Sequence, residues 1–155
     1  ATEANFNVHV IDNREDWNTA ARFPHVHRQH LTPYEDFLTS FAPGPADYVV
    51  IVTQGHDFDE EILDHCLAFP CRYLGMIGST RKVAKTKRHL RPESEWKCVP
   101  HAPIGLDIRA ETPVEIAVSI VGELIREKRK EDSPKRTTGS PVSSRVGSDE
   151  GLREG

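Results

Sequence analysis

Residues 48–53 of the chain read YVVIVT, and this stretch decides the class of fold. It is apolar almost throughout and rich in valine and isoleucine, whose β-branched side chains favour strands. A strand that is apolar on both faces is typical of the centre of a parallel sheet that helices cover on both sides. The stretch therefore predicts a central parallel strand in an α/β protein.

Strand and helix signals alternate along the chain around this stretch. Strands are predicted over 6–11, 72–77 and 96–100, with a short one near Val26, and helices over 14–23, 34–41, 57–69, 79–90 and from Thr112 onward. The connections are long enough for crossovers between parallel strands. The sequence thus predicts an α/β fold with an open parallel sheet and helices on both faces.

Length and charge limit the remaining possibilities. The chain has 155 residues, enough for one domain, which is predicted over 1–130, whereas the polar stretch 131–155 is predicted to be a disordered tail. A net charge of -4 argues against general binding to nucleic acid or to anionic membranes. The longest apolar run, 48–52, is too short to cross a bilayer.

The cysteines and histidines predict neither a disulfide framework nor a metal site. Cys66, Cys71 and Cys98 are odd in number and lack CxxC spacing, which fits a reducing cytoplasm. Cys66 and Cys98 lie in apolar surroundings and are expected to pack as small hydrophobic residues. Histidines crowd residues 25–30, but without the carboxylate or thiolate spacing of a defined metal site.

An acidic residue, Asp12, follows the first predicted strand. Dinucleotide-binding folds place there the acid that bonds a ribose hydroxyl, about 20 residues after a Gly-x-Gly-x-x-Gly turn. No such turn precedes Asp12, so we expect the first strand and its Gly-rich loop to belong to sequence before Ala1. Asp12 is interpreted either as a ligand-binding acid or as the acid of an ordinary turn.

The sequence GMIGSTRK at 75–82 is the most informative stretch for ligand binding. Its strand ends at Gly78 and a helix follows Ser79, so backbone N–H groups, a helix dipole and a hydroxyl converge with the cations of Arg81 and Lys82. This arrangement predicts an anion site. The alternative is a capped helix with a solvated basic face, since further basic residues follow as far as Arg91.

Further candidates follow the central strand, at the edge where open α/β sheets bind ligands. Thr53, His56 and Asp57 come directly after this strand. His56 is interpreted either as a donor to a ligand or proton relay, or as a simple turn residue.

The loop 102–107, APIGLD, precedes a strongly marked helix start. Thr112 is predicted to be the N-cap of this helix, with Glu115 as its capping-box partner. The helix dipole offers a second place for an anion beside Gly105 and Thr112. Asp107 either orients a polar group of the ligand or holds the loop by accepting hydrogen bonds from backbone N–H groups.

Four segments together resemble the C-terminal domain of the XdhC/CoxI family, the accessory factors of molybdenum hydroxylases such as xanthine dehydrogenase. They are VIDNR at 10–14, the stretch 48–57 with its Thr-x-x-His-Asp ending, YLGMIGSTRK at 73–82, and PIGLD at 103–107 followed by TPVEIA at 112–117. The resemblance covers residues 6–130 approximately. It implies a Rossmann-like open parallel sheet that lacks its first strand and Gly-rich loop.

The resemblance also implies a function. Family members bind molybdenum cofactor (molybdopterin), support its sulfuration and hand it to the apo-hydroxylase, so a xanthine dehydrogenase-type hydroxylase and a sulfurtransferase are the expected partners. The expected cofactor-binding residues are Asp12, Arg14, Thr53, His56, Asp57, Gly78, Ser79, Arg81, Lys82, Gly105, Asp107 and Thr112. No catalytic set is recognised, which favours a cofactor-binding chaperone over an enzyme.

Two other functions and one assembly state stay open at this point. A NAD(P)-dependent oxidoreductase, or another nucleotide-binding protein, is favoured by the position of Asp12. An interaction module that docks on the hydroxylase without a small molecule is the third interpretation. We also expect a homo-oligomer, because a sheet without its central strand exposes strand edges.

Overall fold

The computed structural model describes residues 1–54 and 57–130. The strands are β1 His9–Asp12, β2 Arg28–Leu31, β3 Tyr48–Ile51, β4 Tyr73–Met76 and β5 Pro100–His101, and the helices are α1 Tyr34–Leu38, α2 Asp57–Leu67, α3 Thr80–Thr86 and α4 Pro113–Arg129. Short 3-10 turns occupy Thr2–Ala4 and Glu93–Glu95. The predicted tail over 131–155 and the candidate His56 lie outside the described residues.

The strands pair in two parallel sheets. β3, β4 and β5 form one sheet in that order, with Tyr48 opposite Tyr73 and Leu74 opposite Pro100. β1 and β2 form the other, with Asp12 opposite Leu31. Parallel pairing throughout, with helices between the strands, confirms the predicted α/β class.

Helices cover both faces of the three-stranded sheet, as predicted. Successive side chains of a strand point to opposite faces. Leu74 and Met76 belong to a buried core with residues of α2 and with Val83 of α3. On the other face, the hydroxyl of Tyr73 donates to Glu123 of α4 at 2.6 Å. The sheet therefore lies between α2 and α3 on one side and α4 on the other.

The two sheets contact each other at both ends of β1 and β3. Before the strands, the rings of Phe6 and Tyr48 lie 5.2 Å apart in an edge-to-face arrangement. After the strands, the guanidinium of Arg14 donates to the amide oxygen of Gln54. One contact joins the residues before the two strands, and the other joins the residues after them. β1 and β3 therefore run in the same direction, and their carboxyl ends lie at one edge of the molecule.

One predicted element is wrong, and several have different bounds. The segment 14–23, predicted as a helix, forms isolated turns. Here the Asn18 amide donates to the carbonyls of Asp12 at 3.2 Å and His30 at 2.9 Å, so side-chain bonds to the strand ends replace helical ones. The strand predicted over 96–100 begins only at Pro100, because the backbone N–H of Trp96 donates to Glu93 at 3.2 Å and that of Lys97 to Leu67 at 2.9 Å instead of to β4.

Candidate functional site

The segments that follow β3, β4 and β5 lie side by side. Just beyond the strands, the N–H of Ile77 donates to the carbonyl of Ile51, and the N–H of Ile104 donates to that of Met76, both at 3.0 Å. Together with the segment after β1, they form what we name the carboxyl edge. Open α/β sheets bind ligands at this edge, which makes it the candidate site.

Asp12 and Arg14 form a close ion pair at the carboxyl end of β1. One carboxylate oxygen accepts from the backbone N–H of Arg14 at 3.0 Å and from its Nε at 2.8 Å, and the other accepts from a terminal nitrogen at 2.6 Å. The side-chain hydrogen bonds from Arg14 lower the pKa of Asp12 against the opposing effect of burial. Asp12 is therefore an ionised acid that already has a partner.

Arg14 also connects the two sheets, since its remaining terminal nitrogen donates to Gln54. Thr53, the residue before Gln54, donates its hydroxyl to one carboxylate oxygen of Asp59. The ammonium group of Lys82 donates to the other oxygen of Asp59. The Asp12–Arg14 and Asp59–Lys82 pairs are thus joined through the neighbouring residues Thr53 and Gln54. Four predicted site residues meet in this network: Asp12, Arg14, Thr53 and Lys82.

Asp59 is the member of this network that the sequence analysis missed. It is fully buried, on the first turn of α2, and its side chain faces the sheet. A signal did exist, because Asp59 precedes the buried residues Leu63 and Cys66 at helical spacing and so occupies an apolar stripe. A buried carboxylate at such a position requires a cation or several hydrogen-bond donors.

The predicted anion site around 78–82 has a more specific arrangement than the sequence suggested. Ser79 is the N-cap of α3, and its hydroxyl accepts from the backbone N–H of Lys82 at 3.2 Å. A Cβ atom at Gly78 would lie 2.9 Å from Cδ of Lys82, so glycine leaves room for the lysine to reach Asp59. Arg81 is exposed and has no hydrogen bond or ion pair within the described residues.

The loop after β5 is fixed to α4. The N–H of Gly105 donates to Glu123 at 2.7 Å, and the hydroxyl of Ser119 donates to the carbonyl of Leu106 at 2.7 Å. Gly105 has φ +97, and a Cβ atom there would collide with the side chain of Ser119. Glycine is therefore required at this position, both for backbone conformation and for the close approach of the helix.

Asp107 does not hold this loop, which corrects the structural interpretation of that residue. Its side chain is exposed and makes no hydrogen bond or ion pair in the part of the chain that the structure describes. Thr112, in contrast, is the N-cap of α4, as predicted. Its hydroxyl accepts from the N–H of Glu115 at 3.3 Å, and Glu115 accepts from the N–H of Thr112 at 2.9 Å.

Two of the expected site residues, His56 and Asp57, follow β3 in the sequence, and Asp57 is the first residue of α2. The position of His56 and the side chain of Asp57 are outside the described residues.

Over 1–54 and 57–130, no group of three or more His, Cys, Asp or Glu side chains is placed to hold a metal ion. His9 does stack on His27 and His30, with ring centroids 5.3 and 5.5 Å apart. Among the described helices, none is both long and apolar enough to span a bilayer.

Together, the parallel sheets and the charged carboxyl edge define a Rossmann-like α/β domain. A family model described as the XdhC Rossmann domain matches residues 1–124. The chain belongs to this family, which confirms the resemblance seen in the sequence.

Proteins that are similar to this chain are longer than it. A Bacillus subtilis protein, named as a probable subunit of xanthine dehydrogenase, is 30% identical over 130 residues, which cover 84% of this chain and 38% of that protein. Escherichia coli YqeB is 33% identical over 127 residues, 79% of this chain and 23% of YqeB. A solved Bacillus halodurans structure, described as a xanthine dehydrogenase, is 31% identical with a TM-score of 0.73, covering 90% of this chain and 40% of that one.

Proposed function

We propose that this domain belongs to an accessory factor that binds molybdenum cofactor, assists its sulfuration and inserts it into a xanthine dehydrogenase-type hydroxylase. Membership of the XdhC family supports this proposal, as do relatives named after xanthine dehydrogenase. The domain acts in the cytoplasm as a cofactor-binding chaperone rather than as a catalyst. Its partners are the apo-hydroxylase and a sulfurtransferase, and it works as a homo-oligomer.

The observation that carries the proposal is the charge arrangement beside β4. Asp59 neutralises Lys82, and Asp12 neutralises Arg14, so these cations add little net attraction for an anion. Arg81 is exposed, has no partner within the described residues, and lies two residues after the Ser79 cap. A planar guanidinium in this position suits the phosphate of the pterin, which it can bind through two parallel hydrogen bonds.

The residues at the carboxyl edge fit the cofactor in other respects as well. When bound, molybdenum cofactor supplies the redox-active metal centre that the hydroxylase uses. Ser79 is exposed two residues before Arg81, whereas the space beside Gly78 and Gly105 is taken by Lys82 and Ser119. The Asp12–Arg14 and Asp59–Lys82 pairs hold the neighbouring segments in place, so the anion meets a preorganised edge.

Arg81→Ala in the full-length protein is expected to weaken binding of isolated molybdenum cofactor by at least about tenfold, the equivalent of one charge-assisted hydrogen bond. The loss follows from removing the exposed guanidinium. Arg88→Ala is the matched control, because Arg88 is also exposed but lies beyond the other end of α3. Affinity is measured by titration of the cofactor under anaerobic conditions. Equal affinities of both variants and the wild type would reject Arg81 as the phosphate ligand.

A second candidate ligand is NAD(P), favoured by Asp12 and Arg14 at the end of β1. Dinucleotide folds use an acid at this position for the ribose of NAD, and a nearby arginine for the 2′-phosphate of NADP. In this function Asp12→Ala weakens NAD binding, and Arg14→Ala selectively weakens NADP binding. Titration of the full-length protein with both nucleotides, followed by nicotinamide fluorescence of the reduced forms, distinguishes the candidates. Absence of binding in the wild type excludes this second function.

A further inference from the structure

Two cysteine thiols meet at the amino ends of β4 and β5, away from the carboxyl edge. Cys71 precedes β4 by two residues and Cys98 precedes β5 by two. Their Sγ atoms lie 3.0 Å apart, within hydrogen-bonding distance for two sulfurs. β4 and β5 are neighbouring parallel strands, so their pairing fixes the two cysteines against each other. A disulfide has an S–S distance of about 2.05 Å, so closure needs a shift of roughly 1 Å.

The two thiols differ in access to solvent. Cys71 is buried, with 6% of its surface exposed, whereas Cys98 is half-buried. Cys98 lines an open pocket of about 360 Å³, together with Lys87, Lys97 and Trp96. Cys98 is therefore the thiol that a small molecule reaches first.

The acid–base properties of the three cysteines point the same way. The hydrogen bond with Cys71 lowers the pKa of Cys98, and the same bond raises that of Cys71. Burial raises the pKa of Cys66 to about 12. Cys66 is therefore an unreactive thiol in the same core and provides an internal control.

We propose that Cys71 and Cys98 form a reversible dithiol–disulfide pair, in which Cys98 reacts first with a low-molecular-weight disulfide such as glutathione disulfide. The Cys98 thiolate attacks one sulfur of that disulfide and expels one thiolate, which leaves a mixed disulfide on Cys98. Cys71 then loses its proton to water and attacks Sγ of Cys98. The second small thiolate leaves, so two protein thiols are oxidised and one disulfide is reduced to two thiols.

The bridge would constrain the segment that carries the proposed cofactor site. It closes a loop over residues 72–97, which contains β4, α3 and Arg81. The chemistry itself occurs at the opposite ends of the strands and uses no residue of the carboxyl edge. The pair is therefore independent of the proposed function, and either can fail without the other.

The test is oxidation of the full-length protein with glutathione disulfide, followed by acid quenching, alkylation and peptide mass spectrometry. We expect the wild type to form a Cys71–Cys98 bridge. Cys71→Ser is expected to stop at a glutathione adduct on Cys98, and Cys98→Ser to leave Cys71 in its thiol form. Cys66→Ser is the matched control and is expected to form the bridge as the wild type does.

Rates separate this proposal from nonspecific oxidation. Cys66 is expected to react at least about tenfold more slowly than Cys98, because its thiolate is scarce and buried. A wild type without the bridge in excess glutathione disulfide would overturn the proposal. Two other results would also overturn it. One is glutathionylation of Cys71 in the Cys98→Ser variant as fast as that of Cys98 in the Cys71→Ser variant, and the other is loss of the bridge in the Cys66→Ser variant.

Discussion

Lys82→Met is expected to lower the free energy of unfolding by about 3 to 5 kcal/mol, because it leaves the buried carboxylate of Asp59 without its cation. Asp59 is fully buried, and its hydrogen bonds come from Lys82 and Thr53. Methionine keeps the length and helix propensity of lysine, so the loss reports the charge and not the packing of α3. Urea denaturation of the full-length protein, followed by circular dichroism, measures the effect.

A double-mutant cycle assigns this loss to the pair. Asp59→Asn keeps an acceptor for the Thr53 hydroxyl, and the side chain of Lys82, 17% exposed, reaches solvent when unpaired. Asp59→Asn is therefore expected to cost less than Lys82→Met, and the double variant to recover most of the stability that Lys82→Met loses. Arg81→Ala is the surface control and is expected to stay within about 0.5 kcal/mol of the wild type. If the stability losses of Asp59→Asn and Lys82→Met simply added in the double variant, the Asp59–Lys82 pair would make no specific contribution to the free energy of unfolding.

This pair also alters the interpretation of the sequence. The run of basic residues after Ser79 predicts a cluster of cations facing an anion, but Lys82 turns back to Asp59. Twenty-three positions separate the two residues in the chain, and only the stacking of α2 and α3 on one face of the sheet brings them together. Of the two cations nearest the Ser79 cap, Arg81 is the one without a partner among the described residues.

Features that depend on neighbouring residues were predictable from the sequence. The β-branched run after Asp47 does form a parallel strand, but β3 lies at an edge of the described three-stranded sheet and not at its centre as predicted. The Thr112–Glu115 capping box forms as predicted, because its two reciprocal hydrogen bonds lie within one helical turn. The parallel pairing of the strands follows from the alternation of strands and helices.

Features that depend on distant residues were not predictable. The helix expected over 14–23 fails because Asn18 bonds the ends of β1 and β2, and the second of these partners, His30, lies 12 positions away. Glu123 accepts from Tyr73, which lies 50 positions before it. Helical periodicity marks the buried face of α4, but it gives no partner for an acid on that face.

Glu123→Gln is expected to be the second strongly destabilising substitution, with a loss of about 2 to 4 kcal/mol at pH 7. Glu123 is 4% exposed and accepts from the hydroxyl of Tyr73 at 2.6 Å and the N–H of Gly105 at 2.7 Å. His101 and Arg126 also donate to it, at 3.2 and 2.7 Å. The amide of glutamine keeps one acceptor oxygen but has an NH₂ group in place of the other. That NH₂ group would face N–H or O–H donors, so the four hydrogen bonds to residue 123 cannot all be retained.

The pH dependence of stability distinguishes the charge of Glu123 from its shape. Burial acts to raise the pKa of Glu123, but the bonds from Tyr73 and Gly105 and the charge of His101 outweigh it, so the pKa is lowered in the folded state. Its contribution is therefore complete above the unfolded value of about 4.3 and is lost as the pH falls through the folded value. The difference in stability between the wild type and Glu123→Gln should shrink below about pH 4.

Arg126→Ala tests the surface donor to Glu123 separately from the buried donors. Its side chain is 51% exposed, so loss of the Arg126–Glu123 ion pair is expected to cost at most about 1 kcal/mol. Because Glu123 fixes Gly105 beside the carboxyl edge, Glu123→Gln should also weaken the proposed binding of molybdenum cofactor, whereas Arg126→Ala should not. Equal losses of stability in the two variants, or a Glu123→Gln deficit that stays constant from pH 7 to pH 3, would show that the buried carboxylate does not hold α4 and the loop together.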